Sequence, residues 1–261
     1  MYLEHWNLKE EPFKNTPDWR FLYPSQNHQN SLETLQYGLS SEKGAAMLTG
    51  EYGCGKTVLT RAIANTLHRD QYEIALINCP FFDKDNFLKE VSFQFGQDPG
   101  DKSLAELFRG LSQLFFENLS RGRKNILIID EGQIIEDPQV FEELRLLLNI
   151  QLEDRFLINL LLVGQPELRE KIMRYPQLDQ RIALKCHLHR FDHRNTAKYV
   201  EHRLKVAGSE RVLFGEEVLY QIHKISNGVP RRINNIADMC LLEGANRKAI
   251  AVDEQILKFI A

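Results

Sequence analysis

Two short stretches hold residues whose types and spacing could do chemistry. Gly50-Glu51-Tyr52-Gly53-Cys54-Gly55-Lys56-Thr57 fits G-x-x-x-x-G-K-[ST]. Glycines at these positions let the backbone curl so that successive N–H groups face phosphate oxygens, and a helix opening at the loop's end presents its positive pole to the same anion. Lys56 is expected to reach the β- and γ-phosphates of a nucleotide, and Thr57 to hold Mg²⁺ through its hydroxyl. The binding segment expected from the pattern is Gly50, Gly53, Cys54, Gly55, Lys56, Thr57 and Val58. Cys54 is expected as a small filler of the loop, with oxidation of a thiol at a helix N-terminus as the alternative.

The second stretch is Ile126-Leu127-Ile128-Ile129-Asp130-Glu131, an apolar run closing on two acids. In P-loop enzymes the first acid orders the Mg²⁺ shell and the next polarises the attacking water, which assigns these tasks to Asp130 and Glu131. An apolar run ending in Asp-Glu is by itself an ordinary strand end. Its place downstream of a phosphate loop is what turns it into a hydrolytic pair.

These groups need a scaffold that holds loops at one edge. Runs rich in Ile, Leu and Val recur at Ala45–Thr49, Ile74–Asn78, Asn125–Asp130, Ile158–Gly164 and Ile182–His189. They read as five buried, mostly parallel strands. Between them, Thr57–His68, Asp85–Phe95, Ser103–Ser120 and Gln139–Gln151 carry apolar residues at three- and four-residue spacing, as crossover helices require. Alternation of this kind predicts an α/β fold with helices on both faces of the sheet. Beyond His189 the strand signal stops, and Asn195–Val206, Gly215–Ser226 and Pro230–Asn246 read as three helices of a small appendage. The expected domains are therefore 1–190, a nucleotide-binding core with an N-terminal lead-in, and 191–261, a helical lid.

Composition excludes several classes. The chain has 261 residues, 43% hydrophobic and 26% charged, ample for a sizeable core. No apolar run approaches the roughly 20 residues of a membrane span, and Met1–Lys14 lacks the apolar centre of a secretory signal, so a cytoplasmic protein is expected. The four cysteines, Cys54, Cys79, Cys186 and Cys240, form no C-x-x-C pair and read as reduced, mostly packed thiols. Cys186-His187-Leu188-His189 with His193 lacks a well-placed further partner for zinc. Net charge is -3, but residues 181–261 hold 14 Lys and Arg against 9 Asp and Glu. Either basic residues decorate solvated helices there, Lys198, Arg203 and Lys205 among them, or that third offers an anion or nucleic-acid surface. Trp6, Phe13 and Trp19 read as packing anchors.

Several further segments carry a family resemblance. Glu11-Pro12-Phe13, Thr16-Pro17-Asp18, Phe21-Leu22-Tyr23-Pro24-Ser25 with His28, Asp130-Glu131-Gly132-Gln133, Glu143 to Asn149, Gly164-Gln165-Pro166-Glu167-Leu168 and Gly228-Val229-Pro230-Arg231-Arg232-Ile233-Asn234 occur in the order found in ExeA-like (general secretion pathway protein A) AAA+ ATPases. The chain resembles that family along essentially its whole length. The resemblance implies a P-loop AAA+ core of five parallel strands with a C-terminal helical lid, ATP and Mg²⁺ as cofactors, and hydrolysis of ATP.

It also implies roles that spacing alone does not assign. Gln165 matches the sensor position that contacts the γ-phosphate or the water, and Arg231, or else Arg232, matches the lid arginine that reaches the phosphates. Arg181 is the candidate finger donated to a neighbouring subunit, with Arg174 as its rival and a structural ion pair as the plain alternative. Adenine is expected between Phe21–His28 and the lid. Self-association into a ring or filament follows, with a partner in secretion or pilus machinery. Secretion members of the family continue into a membrane span and a peptidoglycan-binding module, neither of which this sequence holds. Stand-alone relatives resembling the MuB and TnsC group point instead to a DNA-binding adaptor of transposition.

Overall fold

The computed structural model describes residues 2–78, 84–153 and 155–260. In chain order its elements are α1 (Tyr2–Trp6), a 3₁₀ turn (Trp19–Phe21), α2 (Gln26–Ser40), β1 (Ala45–Gly50), α3 (Lys56–Thr66), β2 (Tyr72–Ile77), α4 (Lys84–Gln94), α5 (Leu104–Ser120), β3 (Lys124–Ile129), a 3₁₀ turn (Gly132–Ile134) and α6 (Pro138–Leu147). There follow β4 (Gln151–Leu152), β5 (Arg155–Phe156), β6 (Ile158–Gly164), α7 (Pro166–Met173), α8 (Pro176–Asp179), β7 (Ile182–Leu188), α9 (His193–Val206), α10 (Glu216–Ser226), α11 (Pro230–Asn246) and α12 (Glu254–Ile260). They fall into two compact units, one of residues 29–50 and 62–188, the other of residues 1–28, 51–61 and 189–261.

The first unit is a five-stranded sheet in the order β2-β3-β6-β1-β7, every pairing parallel. β3 and β6 are Ile/Leu/Val-rich runs, and β1 and β6 are buried at every residue, as central strands covered on both faces must be. One face packs Met47, Leu127, Ile129, Leu160 and Leu162 with Phe87, Leu111, Phe115 and Leu144 of the helices. The alternate strand residues Leu48, Ile126, Ile128, Leu161 and Val163 are buried as well, as are Leu35, Leu39 and Ile63. Ser103 and Glu106 close a capping box at the start of α5, satisfying two backbone donors that the helix leaves unpaired. Because all five strands run the same way, their carboxyl ends lie on one edge. The order reverses at β1: the chain leaves it for the far edge strand β2 and reaches its other neighbour β7 last, and such a switch point is where open α/β sheets take ligands.

The second unit is helical. Its core joins Val200, Leu204, Leu219, Ile222, Ile233, Ala237 and Leu241 of α9, α10 and α11 to Trp6, Phe13 and Phe21 of the N-terminal segment. Trp6 also donates its indole N–H to the Leu241 carbonyl at 2.8 Å. Trp6 and Phe13 are the anchors expected of them, whereas Trp19 is 53% exposed. Arg203 corrects the expectation of a solvated face. It is buried, its guanidinium donates to the carbonyls of Pro12 and Lys14, and its charge lies 4.8 Å from the Phe21 ring centroid.

Several elements depart from the expectation, the unexpected helices α1, α7 and α8 among them. The helix read as ending at Gln151 stops at Leu147, and Gln151–Leu152 pairs antiparallel with Arg155–Phe156 as β4–β5. Helix α2, whose Leu32, Leu35 and Leu39 share one face, is absent from the reading of apolar runs, as is α12, so the appendage has a fourth helix. Cys54, Cys186 and Cys240 are free thiols, and Cys79 lies outside the described residues. No helix among the described residues is long and apolar enough to cross a membrane.

Candidate functional site

At the carboxyl edge of the sheet, β6 lies between β3 and β1, with Thr49 opposite Gly164 and Ile129 opposite Leu162. Gly50, Asp130 and Gln165, read from the sequence as parts of one site, thus end or directly follow three neighbouring strands. Asp130 is buried, and its backbone N–H continues the ladder to the Ile77 carbonyl at 2.9 Å. Its carboxylate accepts from the Glu131 N–H at 2.8 Å. Glu131 itself has φ of 54°, a left-handed conformation that costs a non-glycine residue energy and is found disproportionately where a side chain must be aimed.

Gln133 connects these groups. Its Nε2 donates to Glu131 Oε2 at 2.6 Å, and its Oε1 accepts the Gln165 N–H at 2.9 Å. The Lys171 ammonium donates to the carbonyls of Gln133 and Ile135, fixing the turn from which Gln133 projects. One amide therefore ties the end of β3 to the end of β6. Sequence reasoning gave Gln133 no role, because only folding brings it opposite a residue 32 positions away. Gln165 caps α7 by backbone geometry, with Pro166 at the first helical position, so its side chain is not spent on capping.

Arg181 stands apart from this group. It immediately precedes Ile182, which opposes Ala45 at the start of β1, so it lies at the amino edge of the sheet. There its guanidinium donates to the Leu148 carbonyl at 3.2 Å. Arg174 is exposed at the end of α7.

In the helical unit, Glu51 to Gly55 form the phosphate-loop bend. Gly53 and Gly55 have φ of 81° and 94°, values that explain glycine at both positions. Lys56, the first residue of α3, is buried and donates from Nζ to the Glu51 carbonyl at 3.1 Å. Thr57 and Val58 follow in the first turn and are half-buried. Cys54 is fully buried, and burial pushes its thiol up in spite of Lys56 nearby, which keeps it protonated and supports its reading as a filler.

Two arginines meet this bend. The Arg231 backbone N–H donates to the Gly53 carbonyl at 3.2 Å, while its guanidinium donates to the Tyr52 hydroxyl and lies 4.9 Å from that ring's centroid. Arg232 instead donates its backbone N–H to Val229 and faces solvent. Arg190, to which the sequence assigned nothing, forms a salt bridge with Glu51.

The family model for the AAA domain matches residues 39–172, the stretch that holds the loop, both acids and Gln165. The chain belongs to the AAA domain family. It is thereby a P-loop ATPase, and nucleotide binding follows from the fold. This AAA chain is 37% identical over 247 residues to general secretion pathway protein A of Aeromonas hydrophila, an alignment that covers 93% of the chain and 44% of that protein. It thus spans less than half of the relative's length. The resemblance to the ExeA-like ATPases holds at this level.

Among solved structures it is similar to the ORC2 protein of Aeropyrum pernix in its ADPNP–ADP complexes, with a TM-score of 0.71, 20% identity, and coverage of 97% of this chain and 70% of that one. The RuvB Holliday junction branch migration motor of Thermotoga maritima gives a TM-score of 0.62 at 17% identity, over 93% and 72% of the two chains. At such identities the likeness establishes the fold: five parallel strands flanked by helices in the AAA+ manner.

Proposed function

We propose that this AAA-domain ATPase binds Mg-ATP through the loop Gly50 to Thr57 and spends its hydrolysis on assembling or remodelling a partner complex of secretion or pilus type. The observation that carries the reading is the shared sheet edge, where Gly50, Asp130 and Gln165 end or follow adjacent parallel strands. The loop amides and Lys56 bind phosphate oxygens. Thr57 and Asp130 offer a hydroxyl and a carboxylate, hard oxygen donors of the kind Mg²⁺ takes, and that ion supplies charge neutralisation on the phosphates. Glu131, its carboxylate held by Gln133, accepts the proton of the attacking water. Gln165 orients that water or the γ-phosphate, and Arg231 answers phosphate charge.

Residues 1–190 act as the nucleotide-binding core and 191–261 as its lid. Arg181, at the amino edge, suits a group that acts on a neighbouring subunit's nucleotide in a ring or filament. The secretion side of the proposal rests on the relative named general secretion pathway protein A. Its working place is the cytoplasm, where ATP is supplied.

Phosphate release tests the reading. Glu131→Gln should bind ATP like wild type and turn over about 10²- to 10⁴-fold more slowly, the usual cost of losing a positioned base. Equal rates would remove Glu131 from the mechanism. Sizing with a non-hydrolysable ATP analogue should reveal an assembly. A protein that stays monomeric, with an Arg181→Ala variant as active as wild type, would overturn the role in trans. DNA affinity that falls steeply with salt would favour a transposition adaptor over a protein-remodelling machine.

A further inference from the structure

One buried histidine grips the phosphate loop from behind. His28, in the first turn of α2, is 3% exposed, and its Nε2 lies 3.1 Å from the Cys54 carbonyl oxygen. Its Nδ1 lies 2.8 Å from Ser25 Oγ, which also accepts the His28 backbone N–H at 3.3 Å. A carbonyl only accepts, so Nε2 carries the hydrogen. The Ser25 hydroxyl then donates to Nδ1, and the network selects a single neutral tautomer. Burial pushes the His28 pKa below the ordinary histidine value, in keeping with that form at neutral pH.

The consequence lies on the other side of one peptide bond. In a planar trans peptide the C=O and the following N–H point in opposite directions, and the Cys54–Gly55 bond is trans. A Cys54 carbonyl drawn to His28 turns the Gly55 N–H away from the histidine. Gly55 permits this with φ of 94°, and a Cβ built there would lie 3.3 Å from His28 Nε2. The imidazole thus takes the space where a side chain would otherwise stand.

We infer that His28 is a positioning residue which sets the Cys54–Gly55 peptide so that the Gly55 N–H is presented to a nucleotide phosphate. The inference rests on the loop's being the phosphate site, as proposed above. The competing account makes His28 a packing residue, since its ring lies 5.3 Å from that of Phe191. Phenylalanine would keep such packing without a donor, while glutamine would return an N–H near the place of Nε2.

The test is a competition titration of the full chain with mant-ADP, displaced by ADP or by adenosine, which lacks phosphate. His28→Phe should weaken ADP about tenfold, the scale of one hydrogen bond in a charged site, and leave adenosine unchanged. His28→Gln should recover most of the loss. Unaltered ADP affinity in His28→Phe, or an equal loss for adenosine, would overturn the inference. Lys56→Ala separates it from the reading beneath: if that variant keeps full ADP affinity, the phosphate site itself is wrong and the inference falls with it. If Lys56→Ala loses ADP while His28→Phe does not, the role of His28 alone is wrong. Should the variants not fold, ¹⁵N-histidine spectra of the wild type at pH 7 decide. A Nε2-protonated signal supports the role, and a Nδ1-protonated one refutes it.

Discussion

Gln133 shows how much one side chain can hold in this fold. Its amide donates to the Glu131 carboxylate and accepts from the Gln165 backbone, so a single rotamer fixes the aim of the proposed base and its distance from the next strand. A hydrogen bond to a charged group contributes about 1.5–3 kcal/mol, and 1.4 kcal/mol is a factor of ten in rate. Gln133→Leu, similar in volume but with neither bond, should therefore lower kcat about tenfold or more while leaving KM for ATP nearly unchanged. Steady-state kinetics measure the split, and a change confined to KM would refute the positioning role. Arg203 teaches the converse. By residue type it belongs on a solvated face, yet it is buried because Pro12 and Lys14 offer carbonyls and Phe21 a ring face to its guanidinium.

At the scale of elements, the carboxyl ends of β3 and β6 must approach closely, and Gly164 permits it. A Cβ there would lie 2.8 Å from both Gln133 Oε1 and Leu168 Cδ2, and 3.0 Å from Leu168 Cβ. Overpacking of this kind costs about 1–3 kcal/mol. For a chain of this size each kcal/mol moves Tm by roughly 2–4 °C, so Gly164→Ala should melt several degrees lower by calorimetry. Activity should fall further than stability alone explains, because Gln133 is displaced as well. An unchanged Tm would show that the edge is looser than drawn.

The five strands and most crossover helices were legible because buried parallel strands are continuous apolar runs and their helices have a 3.6-residue period. The β4–β5 hairpin was not. Ile150 and Leu152 continue the spacing of α6, yet the helix ends at Leu147 and Leu152 pairs with Arg155. Helix α2 had a readable face in Leu32, Leu35 and Leu39, but it precedes the first strand instead of crossing between two.

For the whole molecule, one buried and one half-buried histidine link stability to pH. Burial lowers the pKa of His28 and of His202 below the ordinary 6.5, with the charge of Arg203 adding to the effect at His202. The unfolded chain then binds more protons than the folded one as pH drops below that value, so unfolding free energy rises with pH in this window. The contribution is fully present above about pH 7 and is lost progressively as pH falls from 6.5 toward the depressed folded values. Urea midpoints measured from pH 7.5 to 5.5 should decrease, and the slope should lessen in a folded His28→Gln variant. A midpoint that is flat over this range in wild type would contradict depressed pKa values at both rings.

By themselves the residues settled what chemistry is present. A glycine-rich bend ending in Lys-Thr, an apolar run ending in Asp-Glu, and continuous apolar runs alternating with segments of 3.6-residue period are local patterns, written in neighbouring positions and therefore readable along the chain. Tertiary structure alone decided who holds those groups. Gln133 against Gln165, His28 against Cys54, Arg231 rather than Arg232 against Tyr52, and Arg181 at the far edge of the sheet all depend on contacts between residues remote in sequence. Such contacts follow from strand order and packing, which no local spacing encodes.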